Sequence, residues 1–101
     1  MTLVAEIVTF RAKAGADPAA VAEAAGQTTD WVARQPGFVA RTLSLAEDGT
    51  WTDHVLWRSL AAAKAAATGF MAEPSTAAFM ALIDGPSASM THAQVLLRQP
   101  D

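Results

Sequence analysis

One segment, residues 35–59, constrains the fold more than any other part of the chain. It opens with Pro36-Gly37, which ends a helix, and closes with Ser59, which caps the start of another. Two apolar runs lie between them, separated by the turn pair Asp48-Gly49. The segment therefore predicts a β-hairpin placed between two helices, with strands over 38–46 and 50–58.

The turn pair also predicts how the two hairpin strands face each other. If Asp48-Gly49 forms a two-residue type I′ loop, Leu43 lies opposite His54. In the same register Ala40 faces Trp57 and Ala46 faces Trp51. Arg41 and Asp53 then point to opposite faces of the sheet, so we expect no ion pair between them.

The remaining elements complete a familiar order. Val, Ile, Thr and Phe between residues 3 and 11 predict a first strand, and Asp17-Pro18 predicts a helix start. One buried helical stripe follows at Val21, Ala24, Ala25, Thr28, Trp31 and Val32. A helix from Ser59 is broken at Pro74, a shorter helix ends near Gly85, and a last strand spans 87–98.

This order predicts an α+β, ferredoxin-like βαββαβ fold in one domain over residues 1–101. Its four-stranded antiparallel sheet has helices on one face, the first strand lying beside the third and the fourth. The other face still carries apolar side chains and needs a cover. The simplest cover is a second copy, so we expect a homodimer.

Composition excludes several classes of protein. The net charge of −3 and the lack of a basic run argue against nucleic acid as a partner. The absence of cysteine excludes disulfides, thiol catalysis and cysteine-ligated metals. No apolar run approaches the roughly 20 residues that span a bilayer, and no basic leader opens the chain. A cytoplasmic protein without a membrane partner is expected.

Several short motifs give the chain a family resemblance. They are Glu6 and Phe10 on the first strand, Gln35-Pro36-Gly37-Phe38, Asp48-Gly49-Thr50-Trp51, Trp57-Arg58-Ser59 and Met80–Asp84. With these motifs the chain resembles the antibiotic-biosynthesis-monooxygenase-like (ABM-like) members of the dimeric α+β barrel superfamily. The resemblance implies a homodimer whose two sheets form a barrel, with a pocket between sheet and helices in each subunit.

Relatives in this group include cofactor-free oxygenases of aromatic polyketides, quinol oxygenases and haem-degrading enzymes. The haem-degrading branch uses an asparagine on the first strand and a histidine on the helix after the tryptophan strand. This chain has no asparagine, and no histidine lies between Leu60 and Asp84. Haem degradation is disfavoured. We expect no bound cofactor and assign no residue to a metal.

Three polar residues in the middles of strands are the candidate catalytic groups: Glu6, His54 and His92. If they share a face, Glu6 orients a histidine that acts as a general base near neutral pH. Two histidines and a carboxylate also suit a divalent metal. A hydrogen-bonded cluster without chemistry, or histidines at a dimer contact, explains the same pattern.

The candidate substrate-binding residues are Trp57, Phe70, Met71, Met80 and Arg41. Trp57 can stack on a flat ligand, and methionines suit a loosely shaped apolar pocket. Plain packing accounts for the apolar residues equally well. Arg41 meets an anionic ligand or a partner's carboxylate, unless it is a solvated edge residue.

Two functions are compatible with these residues. The first is a cofactor-independent monooxygenase acting on a small aromatic or quinone-like compound in an apolar pocket. His54 or His92 would be its base, and Glu6 would orient that base. The alternative is a non-catalytic dimeric protein that binds a small molecule.

Overall fold

A computed structural model describes residues 2–100, which form one antiparallel sheet with the strand order β2-β3-β1-β4. The strands are β1 (Val4–Phe10), β2 (Phe38–Leu45), β3 (Trp51–Trp57) and β4 (Ser89–Gln94). The helices are α1 (Pro18–Gly26), α2 (Thr29–Ala33), α3 (Leu60–Ala72) and α4 (Ala77–Ala81), with 3₁₀ turns at Pro74–Thr76 and Gly85–Ser87. The predicted α+β fold is confirmed, including the place of β1 between β3 and β4.

The core lies between one face of the sheet and the helices. Phe10 and Trp51 stack with their ring centroids 6.1 Å apart, and Phe79 of α4 meets Phe10 edge-on at 5.7 Å. A second group of buried side chains gathers around Trp57, which is 2% exposed, and Ala63 of α3. Small alanines on the helices let the backbone approach the large rings of the sheet. No helix among residues 2–100 has the length and apolarity needed to cross a membrane.

The first helical segment is interrupted rather than continuous. The predicted stripe runs through two helices, because α1 ends at Gly26 and α2 begins at Thr29. The hydroxyl of Thr28 donates to the carbonyl oxygen of Ala25 at 2.7 Å, and the Thr28 side chain is fully buried. A glycine and a threonine that bonds to the backbone both weaken a helix at this point.

The hairpin loop differs from the predicted two-residue turn. The amide of Ala46 donates to the carbonyl oxygen of Thr50 at 2.8 Å, so the loop contains Glu47, Asp48 and Gly49. Gly49 has a φ of +91°, as expected where a turn is followed by one left-handed residue. The amide of Thr50 donates to the Asp48 carboxylate at 2.9 Å and is the main reason that the pKa of Asp48 lies below its usual value.

The longer loop shifts the register by one residue. Leu43 lies opposite Asp53, not His54, and Leu45, not Ala46, lies opposite Trp51. Trp57 lies opposite Phe38, not Ala40, next to an irregularity between Phe38 and Ala40. Because side chains alternate along a strand, the shift moves residues of β2 to the other face relative to β3. The predicted pairing was wrong because Asp-Gly fits both two-residue and three-residue loops.

The last strand is shorter than predicted. It ends at Gln94, although the amide of Val95 still donates to the carbonyl oxygen of Leu3 at 2.9 Å. Residues 95–98 are in no strand, and the side chains of Leu96 and Leu97 are 86% and 81% exposed. The face of the sheet away from the cavity carries Ile7, His54 and Leu56. Pairing through this face remains a prediction.

Gly37 is a position where a side chain should strongly destabilise the fold. Its φ is +86°, and an added Cβ would lie 2.6 Å from the Cβ of Ala62 on α3. We expect Gly37→Ala to lower the free energy of unfolding by about 2–4 kcal/mol, measured by urea denaturation.

The matched control is Gly15→Ala. Gly15 has a similar φ of +82°, but no atom lies within 4 Å of an added Cβ. Its cost should be about 1 kcal/mol, from backbone strain alone. Equal losses in the two variants would contradict the close approach of α3 to the start of β2.

Candidate functional site

A cavity of about 180 Å³ lies between the helix-facing side of the sheet and the helices. An apolar protein cavity of about 150 Å³ holds benzene, so this volume admits a small aromatic compound. All five predicted substrate-binding residues line it: Trp57, Phe70, Met71, Met80 and Arg41. Three ionisable residues line it as well, namely Glu6, Arg41 and Asp53. The helix residues in its wall are all apolar.

The polar groups follow one row across the sheet. Arg41 of β2 lies opposite Val55 of β3, Val55 lies opposite Glu6 of β1, and Glu6 lies opposite His92 of β4. Neighbouring strands are about 4.8 Å apart, so the backbones of Arg41 and Glu6 are separated by roughly 10 Å. The guanidinium of Arg41 thus lies on one side of the apolar Val55, and the carboxylate of Glu6 lies on the other.

Glu6 and His92 form a hydrogen-bonded pair at one end of this row. The Nε2 atom of His92 lies 2.9 Å from Oε2 of Glu6, and their side chains are 22% and 10% exposed. Glu6 lines the cavity, whereas His92 lies beside it on the edge strand β4. Among residues 2–100 the other oxygen of Glu6, Oε1, has no hydrogen-bond partner. A carboxylate oxygen is therefore left for a ligand.

His54 does not join this pair. It lies opposite Ile7 on β1 and Thr42 on β2, one position out of step with Glu6 and therefore on the other face of the sheet. The three candidate catalytic residues do not share a face. Within the described part of the chain no group of three or more His, Cys, Asp or Glu residues is arranged to hold a metal ion.

Arg41 and Asp53 form a two-pronged ion pair at the other end of the row. Nε of Arg41 donates to Oδ1 of Asp53 at 3.0 Å, and Nη2 donates to Oδ2 at 2.7 Å. Nη1 donates to the hydroxyl of Thr28 at 2.6 Å. The expectation that Arg41 and Asp53 lie on opposite faces was wrong, because the three-residue loop brings both to the helix side. Each side chain is only 12% exposed.

Sequence reasoning missed the roles of Thr28 and Asp53. Thr28 sits on the buried stripe of the first helices, and Asp53 lies inside an apolar strand. A buried hydroxyl and a buried carboxylate each need a hydrogen-bond partner, and Arg41 is the strand residue that can serve both. The need of these two buried groups for a hydrogen-bond partner is the signal that would have predicted the Thr28–Arg41–Asp53 cluster.

Trp57 adds an unused donor to the cavity wall. Its indole Nε1 is buried without a hydrogen-bond partner among the described residues, and its ring meets Phe38 edge-on at 5.9 Å. An unpaired buried donor costs about 1–3 kcal/mol. A water molecule or ligand atom that reached Nε1 would remove that cost.

Comparison with solved structures shows one recurring fold. The chain is 25% identical to SnoaB, a cofactor-independent oxygenase from Streptomyces nogalater, over 100% of both chains with a TM-score of 0.66. It is 21% identical to the monooxygenase ActVA-Orf6 of Streptomyces coelicolor, over 96% and 90% of the two chains (TM-score 0.66). The protein NE2512 of Nitrosomonas europaea, of unknown function, gives 21% identity over 100% and 96% (TM-score 0.74).

This chain has the ABM-like fold. The resemblance inferred from its motifs is thereby confirmed for the architecture. Comparisons with family models and with curated proteins give no match. The cavity between sheet and helices and the polar row described above are features of this chain's own residues.

The Arg41–Asp53 pair gives a direct test of the observed register. Arg41→Met leaves the Asp53 carboxylate buried without its partner, which we expect to lower the free energy of unfolding by about 3–5 kcal/mol. Urea denaturation measures this loss. Addition of Asp53→Leu to Arg41→Met should recover most of it, because apolar residues of similar size replace buried ion pairs well.

The outcome that contradicts this register is simple additivity. Two residues on opposite faces of the sheet would show no coupling in the double variant. Asp30→Asn on the exposed surface of α2 serves as a control that should leave stability within about 0.5 kcal/mol.

Proposed function

We propose that this chain is a cofactor-independent monooxygenase acting on a small aromatic or quinone-like compound. The observation that carries the proposal is the Glu6 carboxylate, which has one uncommitted oxygen and lines a cavity whose helix side is entirely apolar. SnoaB, which shares the fold, is a cofactor-independent oxygenase, and ActVA-Orf6 is a monooxygenase solved with nanaomycin D. Both descriptions support the same kind of chemistry for this chain.

The reaction needs a base, a dry cavity and dioxygen. Oε1 of Glu6 takes the proton from a ring hydroxyl, the O–H bond breaks, and its electron pair stays on the ligand. The electron-rich anion then reduces dioxygen directly. One oxygen atom replaces the hydrogen of a ring C–H group as a quinone carbonyl, and the other leaves as water. That water takes the hydrogen of the C–H group and the proton held by Glu6, and the ring supplies all four electrons. Apolar walls exclude water, which would otherwise solvate the anion and lower its reactivity toward dioxygen.

We propose roles for Glu6 and His92 that differ from those predicted from the sequence. Glu6 touches the cavity and is the proposed proton acceptor, while His92 is a positioning residue. With Glu6 ionised, the Nε2–H of His92 donates to Oε2 and fixes the carboxylate, leaving Oε1 toward the ligand. His54 lies on the other face, and we propose no contact between it and the substrate.

We also propose that the protein works as a cytoplasmic homodimer. Two features support pairing through the sheet: the half-buried side chain of Ile7 on the face away from the cavity, and the exposed Leu96 and Leu97 beside the edge strand. A second copy would cover both.

The alternative is a dimeric protein that binds a small molecule without turnover. It is favoured by the Arg41–Asp53 pair, whose charges are already satisfied within the chain. The two functions differ in one measurable way: both predict saturable binding of an aromatic ligand, but only the first predicts oxygen consumption.

The role of Glu6 is tested by Glu6→Gln. This variant keeps the shape of the side chain but removes the proton acceptor, and we expect kcat for oxygen uptake with a panel of quinols to fall about 10²–10⁴-fold. The matched control Glu47→Gln changes an exposed loop residue and should leave kcat unaltered. Equal kcat in Glu6→Gln and the unaltered protein would reject Glu6 as the base.

The location of ligand binding is tested by filling the cavity. Ala67 of α3 lines it, and Ala67→Phe should raise the Kd for an aromatic probe at least about tenfold by occupying the ligand's volume. Quenching of Trp31 and Trp57, which also line the cavity, reports binding. Ala65→Phe, an exposed position on the same helix, is the control. A similar Kd in both variants would place the ligand elsewhere.

A further inference from the structure

Arg41 is held in the cavity wall as a fixed hydrogen-bond donor. A guanidinium carries five N–H groups, and here Asp53 takes two and Thr28 takes one. Two N–H groups therefore remain, one on Nη1 and one on Nη2. Since three hydrogen bonds already fix the plane of the guanidinium, a ligand that uses the remaining donors has little side-chain motion to arrest.

The position of Arg41 relative to Glu6 defines what these donors face. Both residues line the same cavity, on either side of Val55 and with backbones roughly 10 Å apart. A flat ring lying over Val55 would place one substituent near Glu6 and the opposite substituent near Arg41. Electron density released when Glu6 takes a proton would reach the far substituent by conjugation through the ring.

We infer that Arg41, positioned by Asp53 and Thr28, stabilises the negative charge that forms on the far oxygen of the bound ring. The inference rests on the proposed function for the direction of proton transfer. It specifies the ligand as an aromatic ring with a hydroxyl group at one end and a conjugated acceptor oxygen at the other. Arg41 would then be a catalytic residue, and Asp53 and Thr28 positioning residues.

The charges around the cavity make stabilisation of the ligand anion depend on the N–H groups of Arg41 and not on net charge. The ionisable groups lining the cavity are Glu6, Arg41 and Asp53, with His92 behind Glu6, and the lining helix residues carry no charge. Arg41 and Asp53 cancel in net charge. An anion near them is therefore stabilised by directed N–H groups and by its greater closeness to the guanidinium than to the carboxylate.

A purely structural role for the pair makes a different prediction. In that case Arg41 only fastens the break between α1 and α2 to the sheet, through Thr28 and Asp53. Loss of the guanidinium would then change stability but not the ionisation of a bound ligand. Ionisation of the ligand separates the two roles without requiring turnover.

The test uses 4-nitrophenol, whose phenolate delocalises charge onto the nitro oxygens at the opposite end and absorbs differently from the phenol. Its pKa in the complex is measured by absorbance against pH, with saturating protein. The double variant Arg41→Gln/Asp53→Asn removes the guanidinium but leaves net charge unchanged. We expect the pKa of the bound probe to be higher in this variant by about one pH unit or more.

Two further variants keep the test decisive. Asp30→Asn/Arg34→Gln makes the same chemical change at exposed positions on α2 and at its C-cap, and it should leave the pKa of the bound probe unaltered. Arg41→Lys keeps the charge without the fork of donors and should give a smaller rise than the double variant. It also replaces the double variant should that protein not fold, as judged by near-ultraviolet circular dichroism.

Two results would overturn the inference. One is an equal pKa for the bound probe in the unaltered protein and in the Arg41 variants. The other is no saturable binding of the probe to the unaltered protein. A raised pKa in the variants together with no oxygen uptake from any quinol would instead reject the monooxygenase proposal and leave Arg41 as a charge-stabilising binding residue.

Discussion

The register between β2 and β3 is the constraint on which the rest of the site depends. The three-residue loop ending at Gly49 sets it, because a left-handed residue there lets the turn join two twisted strands. In this register Arg41 and Asp53 share the helix-facing side of the sheet. A slip of one residue would turn Arg41 away from Asp53 and leave a buried carboxylate without its partner.

Charged groups persist in this small apolar chamber because each has a specific partner. Asp53 is satisfied by the fork of Arg41, and one oxygen of Glu6 is satisfied by His92. Such pairing lowers the cost of burial but does not abolish it, so the pairs are weak evidence for stability in themselves. Their position along one row, with Val55 between them, is what connects them to a ligand. The arrangement supplies an acceptor at one end and donors at the other.

The sequence predicted the features that depend on local chemistry. Backbone geometry and capping identify the ends of helices and strands at Pro36-Gly37, Asp17-Pro18 and Ser59. The resulting order of strands and helices then predicts the topology of the sheet. The five residues predicted to bind a substrate do line the cavity, although their role in binding stays a prediction. The register between β2 and β3 could not be predicted from the sequence, because Asp48-Gly49 is compatible with a two-residue or a three-residue loop.

The partners of Arg41 and Glu6 depend on that register and on tertiary placement. The break at Thr28 comes from a side-chain hydrogen bond to Ala25 that helical periodicity does not reveal. Interstrand nuclear Overhauser contacts in the labelled protein test the register most directly. The structure predicts contacts pairing Leu43 with Asp53 and Thr42 with His54. Contacts pairing Leu43 with His54 would contradict the observed register. In that alternative register Arg41 and Asp53 would lie on opposite faces of the sheet.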